Sequence, residues 1–256
     1  MLADELLGSL FDGQPHLLAA PMAAWLASSR RFTAFVTANQ PKIRKKLRST
    51  QEPESLRDLQ LELETAYLLL RERSLSVAYE PQLSEGVRSP DFAVTFTTSL
   101  VFMVEVTRLR AAEPRTPLSA QDDAPDARSP QAALTAPLLG DRFYNLLCSK
   151  FGQLLPQRSN VLVVGVEAPG LAGADVHAAL LRLQQRAESN DPAIVQRQGF
   201  RDRAEFFRHY YRLSALLLRG ASLSAAEPAI LWLNPQARIP LPARVCTALT
   251  RSHTQK

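Results

Sequence analysis

Long apolar runs and cysteines are scarce in this sequence of 256 residues. No apolar run is long enough to cross a bilayer, and residues 1–13 are acidic where a signal peptide has a basic flank and an apolar stretch. We therefore expect a cytoplasmic protein with no membrane partner. Two cysteines, Cys148 and Cys246, are too few for a disulfide framework or a zinc site, and the four histidines show no ligand spacing. Thiol and zinc chemistry are not expected.

Lysine is scarce as well. Only five of the thirty basic residues are lysines. Three of the five lie together in residues 41–48, PKIRKKLR, and Lys150 stands far from them. The formal net charge of +5 permits an anionic partner but does not require one. The placement of each lysine is therefore more informative than the total charge.

Apolar periodicity divides the chain into a helical start and a longer α/β part. Residues 1–50 have the pattern of short helices, one of them beginning at Pro41, and form a predicted N-terminal helical extension. The strongest helical pattern covers residues 55–73, where Ser55 and Asp58 have capping-box spacing. We predict one domain over residues 51–256.

Three strands are predicted after this helix, over residues 75–83, 91–96 and 99–107, and the last two form a hairpin. Residues 111–139 are rich in Pro, Ala, Asp and Ser and are predicted to be a flexible loop. Helical and strand patterns alternate beyond it, as they do in βα units. The predicted fold class is α/β.

Two acidic residues stand at or inside apolar runs that are typical of buried strands. Asp91 begins one run, and Glu105 lies within VFMVEVT, where an ionised side chain is costly. A hairpin brings these residues, 14 positions apart (105 minus 91), to neighbouring places at one end of the sheet. Like charges this close repel unless a divalent cation lies between them, and oxygen ligands favour Mg²⁺ or Mn²⁺. The sequence therefore predicts a metal site at Asp91 and Glu105.

The helix before the strands can supply a third carboxylate. Glu62 lies roughly 60° from the middle of the apolar stripe of this helix, and Glu64 lies roughly 140° away. We therefore expect Glu62 to reach over the sheet and Glu64 to point to solvent. A solvated helix glutamate is the alternative interpretation of Glu62.

The order of these elements resembles that of the PD-(D/E)xK nuclease superfamily. The matching residues are Glu62 with Ala66, then Pro90 and Asp91, then Glu105, Val106 and Thr107. The resemblance covers about residues 55–167 and depends on order and strand placement, because the motif is short. Residues 30–110 also resemble an uncharacterised bacterial branch of the superfamily. The resemblance implies a restriction-endonuclease-like central mixed sheet flanked by helices, here behind the N-terminal helical extension.

The resemblance also implies the chemistry, which is hydrolysis of phosphodiester bonds with Mg²⁺ or Mn²⁺ as cofactor. Nucleic acid is the implied partner, DNA above all. Asp91 and Glu105 would be direct metal ligands, the carbonyl of Val106 a third ligand, and Glu62 an outer ligand or water-positioning group. Many enzymes of this kind dimerise to cut both strands, so a homodimer is a further implied partner.

Thr107 departs from the family pattern, which has a lysine at this position. A threonine carries no positive charge beside the scissile phosphate. Some members of the superfamily supply the lysine from the next helix, and here residues 141–155 present Lys150, with Gln153 on the same face. We interpret Lys150 as the substitute cation. If Lys150 is instead a solvated surface residue, the site still binds metal but is slow or inactive.

Basic residues supply two candidate contacts to nucleic acid. Arg108 and Arg110 follow the Glu-x-Thr motif and either guide a phosphate to the metal or pair with acidic neighbours. A basic helix around Ile43 and Leu47 suits contact with a phosphate backbone, with a solvated helix face as the alternative. Its cations are Lys42, Arg44, Lys45, Lys46 and Arg48.

Two other functions stay open on the sequence. A catalytically degenerate member of the fold would bind nucleic acid or a protein partner without cleaving it, and Thr107 is the main support for this function. A small-molecule or tRNA-processing hydrolase on an unrelated α/β fold would need a nucleophile elbow, a Gly-rich phosphate loop or a histidine pair, and the sequence shows none of them. A metal-dependent nuclease is the first prediction.

Overall fold

One mixed sheet of six strands organises the chain, and its spatial order follows the sequence from β1 to β6. The strands are β1 (Leu75–Tyr79), β2 (Phe92–Phe96), β3 (Leu100–Leu109), β4 (Ser159–Val166), β5 (Leu213–Gly220) and β6 (Ile230–Leu233). The pairs β1–β2, β2–β3 and β5–β6 are antiparallel, whereas β3–β4 and β4–β5 are parallel. The three successive strands and the hairpin predicted from the sequence are confirmed.

Helices surround this sheet in the computed structural model, which describes residues 3–50, 52–83, 89–110, 140–167, 172–221 and 228–253. The helices of these residues are α1 (Ala3–Phe11), α2 (Ala19–Ser28), α3 (Arg30–Ser49), α4 (Pro53–Arg71), α5 (Asp141–Phe151), α6 (Gly173–Glu188), α7 (Arg203–Tyr210) and α8 (Ala243–His253). The predicted flexible loop, residues 111–139, lies outside the described residues. Among these helices none is long and apolar enough to span a membrane.

Two apolar cores lie on opposite faces of the sheet. Alternate residues of β3 point to opposite faces, so Val104 belongs to the core beneath α1–α4 and α8, while Leu109 belongs to the core beneath α5–α7. Every residue of β4 is buried, because a central strand with parallel neighbours is covered on both faces. The fold is therefore an α/β layer arrangement with helices on both sides of the sheet.

The N-terminal helical region packs directly on the first of these cores. Phe32 and Val36 of α3 are fully buried together with residues of α4 and β2. The guanidinium of Arg31 donates hydrogen bonds to the carbonyls of Leu70 (2.7 Å) and Glu72 (2.8 Å) at the end of α4. Apolar packing and backbone capping thus join α3 to the sheet domain.

Two predicted helix starts are wrong. Pro41 lies inside α3 rather than at the start of a helix. A proline there removes one helical hydrogen bond, but Val36, Ile43 and Leu47 are buried on both sides of it, so packing keeps the helix continuous. The start of α4 has no capping box, because Pro53 occupies the first turn and fixes a helical φ there.

Candidate functional site

Asp91 and Glu105 meet at the edge of the sheet where β2 begins. The antiparallel register pairs Phe92 with Val104, so the residues one step further along each strand, Asp91 and Glu105, are neighbours. The backbone N–H of Val106 donates a hydrogen bond of 2.7 Å to Oδ2 of Asp91. Glu105 is 5% exposed. The hairpin thus brings the two predicted metal ligands together in a largely buried position.

Lys150 extends from α5 to the same point. Its Nζ donates hydrogen bonds to Oε1 of Glu105 (2.9 Å) and to Oε1 of Gln153 (3.3 Å). Thr107 is half-buried on the same face of β3 as Glu105, because the two residues are two positions apart. A lysine of α5 therefore contacts Glu105, and Glu105 shares its face of β3 with Thr107.

Burial and neighbouring negative charges raise the pKa values of two carboxyls at this site, Asp91 and Glu62. Burial, and then the charge of Glu105, raise the pKa of Asp91 to about 6, against the opposing effects of the Val106 N–H and Lys150. Burial and the charge of Asp91 also raise the pKa of Glu62, while Lys46 opposes that rise. Ionising these groups together costs free energy that a bound cation would recover.

Lys46, which the sequence predicts as a nucleic-acid contact of the basic helix, lies among the acidic residues of this site. Its Nζ lies 2.7 Å from Oε1 of Glu62, 2.7 Å from Oε1 of Glu80 and 4.9 Å from the centre of the Tyr79 ring. Burial lowers the pKa of Lys46, but the charges of the two glutamates outweigh burial and raise it. The signal in the sequence was the four-residue spacing within α3, which puts Lys42 and Lys46 on one face.

The expectation that Glu64 points to solvent is wrong. Glu64 is 1% exposed and forms an ion pair with Arg219 of β5, which is 7% exposed. The helical-wheel argument assumed a single buried stripe, whereas β3 and α8 both pack on α4 and cover more of its circumference. The second side of α4 is buried because elements distant in the sequence pack on it, and a helical wheel of α4 alone does not show this.

Arg108 and Arg110 are engaged by acidic residues rather than aimed at the carboxylate pair. Arg108 is buried and forms ion pairs with Glu54 (2.6 Å), Asp58 (2.8 Å) and Glu167. Arg110 is half-exposed and also pairs with Asp58, at 2.8 Å. Arg108 directly follows Thr107 in β3, so its side chain lies on the opposite face of the strand, toward α4. The structure favours the pairing alternative for both arginines.

The cations of the predicted basic helix are also mostly engaged within the protein. Lys42 Nζ donates to the carbonyls of Tyr79 (3.1 Å) and Glu80 (3.0 Å). Arg44 and Arg48 both form ion pairs with Asp12. Lys45 is exposed and makes no ion pair with the described part of the chain. Internal partners thus balance most of the charge of this helix.

A cleft of about 660 Å³ opens above these groups. Five of the residues discussed above line it, namely Lys46, Glu62, Asp91, Thr107 and Lys150. The structure therefore brings the predicted residues of the sheet, α4 and α5 to one solvent-accessible place.

The donor set at the sheet edge fits a magnesium or manganese ion. Asp91 and Glu105 supply carboxylate oxygens, and Val106 directs its N–H, and with it its carbonyl, toward the side where Asp91 lies. Mg²⁺ uses one or two carboxylates and keeps several waters, so it does not need a cage of protein ligands. Across the described residues, no group of three or more His, Cys, Asp or Glu side chains is arranged to hold a metal. Any ion here would thus rely on the carboxylate pair, the carbonyl and water.

Comparisons of the chain with models of protein families, with curated proteins and with solved structures found no match. The geometry of the cleft and the sequence pattern are therefore the basis for a functional proposal.

Proposed function

We propose that this protein is a metal-dependent nuclease that hydrolyses phosphodiester bonds, in DNA above all, on a restriction-endonuclease-like fold. The observation that carries the proposal is the buried Asp91–Glu105 pair with Lys150 Nζ 2.9 Å from Glu105. The element order α4, β1, β2, β3, α5, β4, with antiparallel pairing up to β3 and parallel pairing of β3 with β4, supports the proposed fold.

The carboxylate pair is the proposed ligand set for Mg²⁺ or Mn²⁺. Asp91, Glu105 and the carbonyl of Val106 would hold the ion, which supplies a hydroxide nucleophile and a countercharge to the phosphate when it is bound. The raised pKa of Asp91 supports this role, because a cation between the two carboxylates removes the repulsion that raises it. The Val106 N–H keeps Asp91 in position for binding.

Lys150 is the proposed phosphate-stabilising cation. Its Nζ has one fixed partner in Glu105 and a second in Gln153, so the ammonium group is held before substrate binds. An ammonium at this point balances the negative charge that develops on the phosphate, which Thr107 cannot do. Gln153 is a positioning residue, because it acts on Lys150 and not on substrate.

Glu62 is the proposed water-positioning group of the cleft. Lys46 donates to Oε1 of Glu62 at 2.7 Å, which opposes the rise in the pKa of this carboxyl that burial and Asp91 cause, and which holds the side chain in place. An ionised, oriented carboxylate can accept a proton or a hydrogen bond from a water molecule.

A binding module without catalysis is the second candidate function. Two observations favour it: Thr107 replaces the family lysine, and the described residues hold no cluster of three carboxylates arranged for a metal. Such a module would bind nucleic acid in the cleft and would be indifferent to divalent metal.

Cleavage assays separate the two candidates. Supercoiled plasmid and labelled single-stranded and double-stranded DNA are incubated with Mg²⁺, Mn²⁺ or EDTA. We expect metal-dependent cleavage that falls at least about 100-fold in Asp91→Ala, Glu105→Gln and Lys150→Met. Glu188→Gln and Arg182→Gln, which change exposed residues of α6 outside the cleft, are matched controls and should retain wild-type cleavage. Cleavage that survives Asp91→Ala would contradict the proposal.

A second lysine variant tests whether Lys150 takes the role of the lysine that the family pattern has at position 107. Adding Thr107→Lys to Lys150→Met returns the cation to the family position on the same face of β3, and it should recover cleavage at least about 10-fold over Lys150→Met alone. A metal-induced rise in melting temperature supplies a readout without activity. It should disappear in Asp91→Asn and persist in Lys150→Met. DNA binding without any metal response would favour the binding module.

A further inference from the structure

One face of α5, polar except for Leu146, lines the cleft. Arg142, Asn145, Ser149 and Lys150 line it, at spacings of three, four and one residues. This spacing keeps the four side chains on one side of a helix. The opposite side of α5 is buried against β3, with Phe143 and Leu147 fully enclosed. The polar face is thus fixed in its orientation by the core.

Arg142 differs from the other cations of the cleft. Lys46, Lys150, Arg108 and Arg110 each form an ion pair with a carboxylate. Arg142 is exposed and makes no ion pair with any residue that the structure describes. Its positive charge is therefore available at the mouth of the cleft, where charge attracts an anionic ligand from solution.

The neighbouring polar residues Asn145 and Ser149 add no charge to this face. Asn145 accepts a hydrogen bond of 2.7 Å from Gln198 with its carbonyl oxygen, which leaves its amide group directed elsewhere as a donor. Ser149 is exposed and small, so a ligand backbone can approach α5 closely beside Lys150. This face suits contacts with phosphate and sugar, which carry no sequence information.

We infer that this face of α5 is the track for a nucleic-acid strand, with Arg142 as its phosphate-binding cation. The inference rests on the proposed function for the chemistry at the Lys150 end. Arg142 lies eight residues before Lys150, which is about 12 Å along the helix axis. At a rise of about 3.4 Å per nucleotide, this distance corresponds to a phosphate roughly three nucleotides from the scissile bond. In the predicted basic helix, Lys42, Arg44 and Arg48 already have partners in the protein, and Lys45 lies outside the cleft.

The salt dependence of binding tests this track without any need for cleavage. Binding of fluorescently labelled single-stranded and duplex oligonucleotides to the full chain is measured by anisotropy in EDTA between about 50 and 200 mM salt. Arg142→Gln should lower the slope of log K against log salt by about 0.7 for a single strand or about 0.9 for a duplex, which is one phosphate contact. Arg182→Gln, an exposed arginine of α6 outside the cleft, is the control and should leave the slope unchanged, and Lys45→Gln is the matched test of the predicted basic helix.

The outcomes separate this inference from the proposed function. An unchanged slope in Arg142→Gln overturns the track, even if the wild type cuts DNA. A lower slope in Lys45→Gln alone overturns it in favour of the basic helix, and a wild type that binds neither oligonucleotide also overturns it. An Arg142-dependent slope in a protein that never cuts with Mg²⁺ or Mn²⁺ supports the track and rejects the nuclease.

Discussion

Two buried glutamates of this protein each face a cation, yet only one of them belongs to the candidate site. Glu105 accepts a hydrogen bond of 2.9 Å from Lys150, and Glu64 pairs with Arg219. Both glutamates are almost inaccessible to solvent. In burial and in pairing, they are alike.

The surroundings of the two pairs differ. Glu105 has a second carboxylate, Asp91, beside it, and Lys150 lines a cleft open to solvent. Glu64 is enclosed between α4, α8 and β5, and the charge of Arg219 acts on His253 nearby. A buried ion pair alone is therefore a poor indicator of a functional site. A neighbouring like charge together with access to a cleft is a better one.

Removing the negative charge of Glu64 should give the largest effect on stability. Glu64→Gln leaves Arg219 as an uncompensated buried charge, and we expect the free energy of unfolding to fall by about 3–5 kcal/mol. Urea denaturation measures it. Cleavage below the unfolding transition should stay at the wild-type rate, the reverse of the result expected for Glu105→Gln.

A double variant supplies the control for this prediction. Glu64→Leu with Arg219→Met replaces both charges by apolar groups, and its stability should lie near that of the wild type. If Glu64→Gln alone has the same free energy of unfolding as the wild type, the Glu64–Arg219 pair does not stabilise the fold. The proposed difference between a structural Glu64 and a functional Glu105 is then wrong.

Asp91→Asn should have the opposite effect on stability. The folded pKa of Asp91, about 6, lies above its ordinary value of 3.8, so the folded state binds more protons between these pH values. The free energy of unfolding of the wild type therefore falls by about 3 kcal/mol as the pH rises from about 3 to about 7. Asparagine keeps an oxygen for the Val106 N–H and carries no charge.

In EDTA at neutral pH, Asp91→Asn should therefore be more stable than the wild type by about 3 kcal/mol, while it loses cleavage. Urea denaturation at several pH values measures the sign of this stability difference and the pH range over which it appears. Saturating Mn²⁺ should reduce the difference, because it binds the wild-type pair and stabilises the folded state. A variant less stable than the wild type would show that Asp91 has a structural role instead.

The local part of the site could be predicted from the sequence. Alternating apolar runs around a short polar turn predicted the hairpin, and the hairpin alone fixes Asp91 beside Glu105. Lys150 was predicted from the resemblance, because some members of the superfamily supply the lysine from the next helix. The contact between Asp91 and Glu105 depends on periodicity and on a short connection, which a single sequence encodes.

The contacts that the sequence did not predict join distant elements. Glu64 and Arg219 are 155 residues apart, and Lys46 meets Glu80 across the gap between α3 and β1. The apolar periodicity of α4 predicts one buried face. It does not predict that α8 covers a second face. The burial of Arg108 among three acidic residues likewise depends on how α4 and β4 pack around β3.

Acid should weaken the region of Glu64 while it strengthens the region of Asp91. Burial, and then the charge of Arg219, lower the pKa of His253 to about 3, below its ordinary value of 6.5. Between these pH values the unfolded state binds the extra proton, so the free energy of unfolding falls as the pH drops below 6.5. The loss should be about 2 kcal/mol between pH 7 and pH 5.

The effect of His253 on the pH dependence of stability is the smallest of the three. It is measured in Asp91→Asn, because the titration of Asp91 changes stability in the opposite direction. In Asp91→Asn, the contribution of His253 should appear as the difference between that variant and the double variant with His253→Leu, which lacks the titrating ring. The pH dependence of the double variant should be weaker by about 2 kcal/mol over the same range. Equal pH dependence in both would mean that His253 becomes protonated without unfolding. The enclosure that distinguishes the Glu64 pair from the Glu105 pair would then be incomplete, and water would reach both.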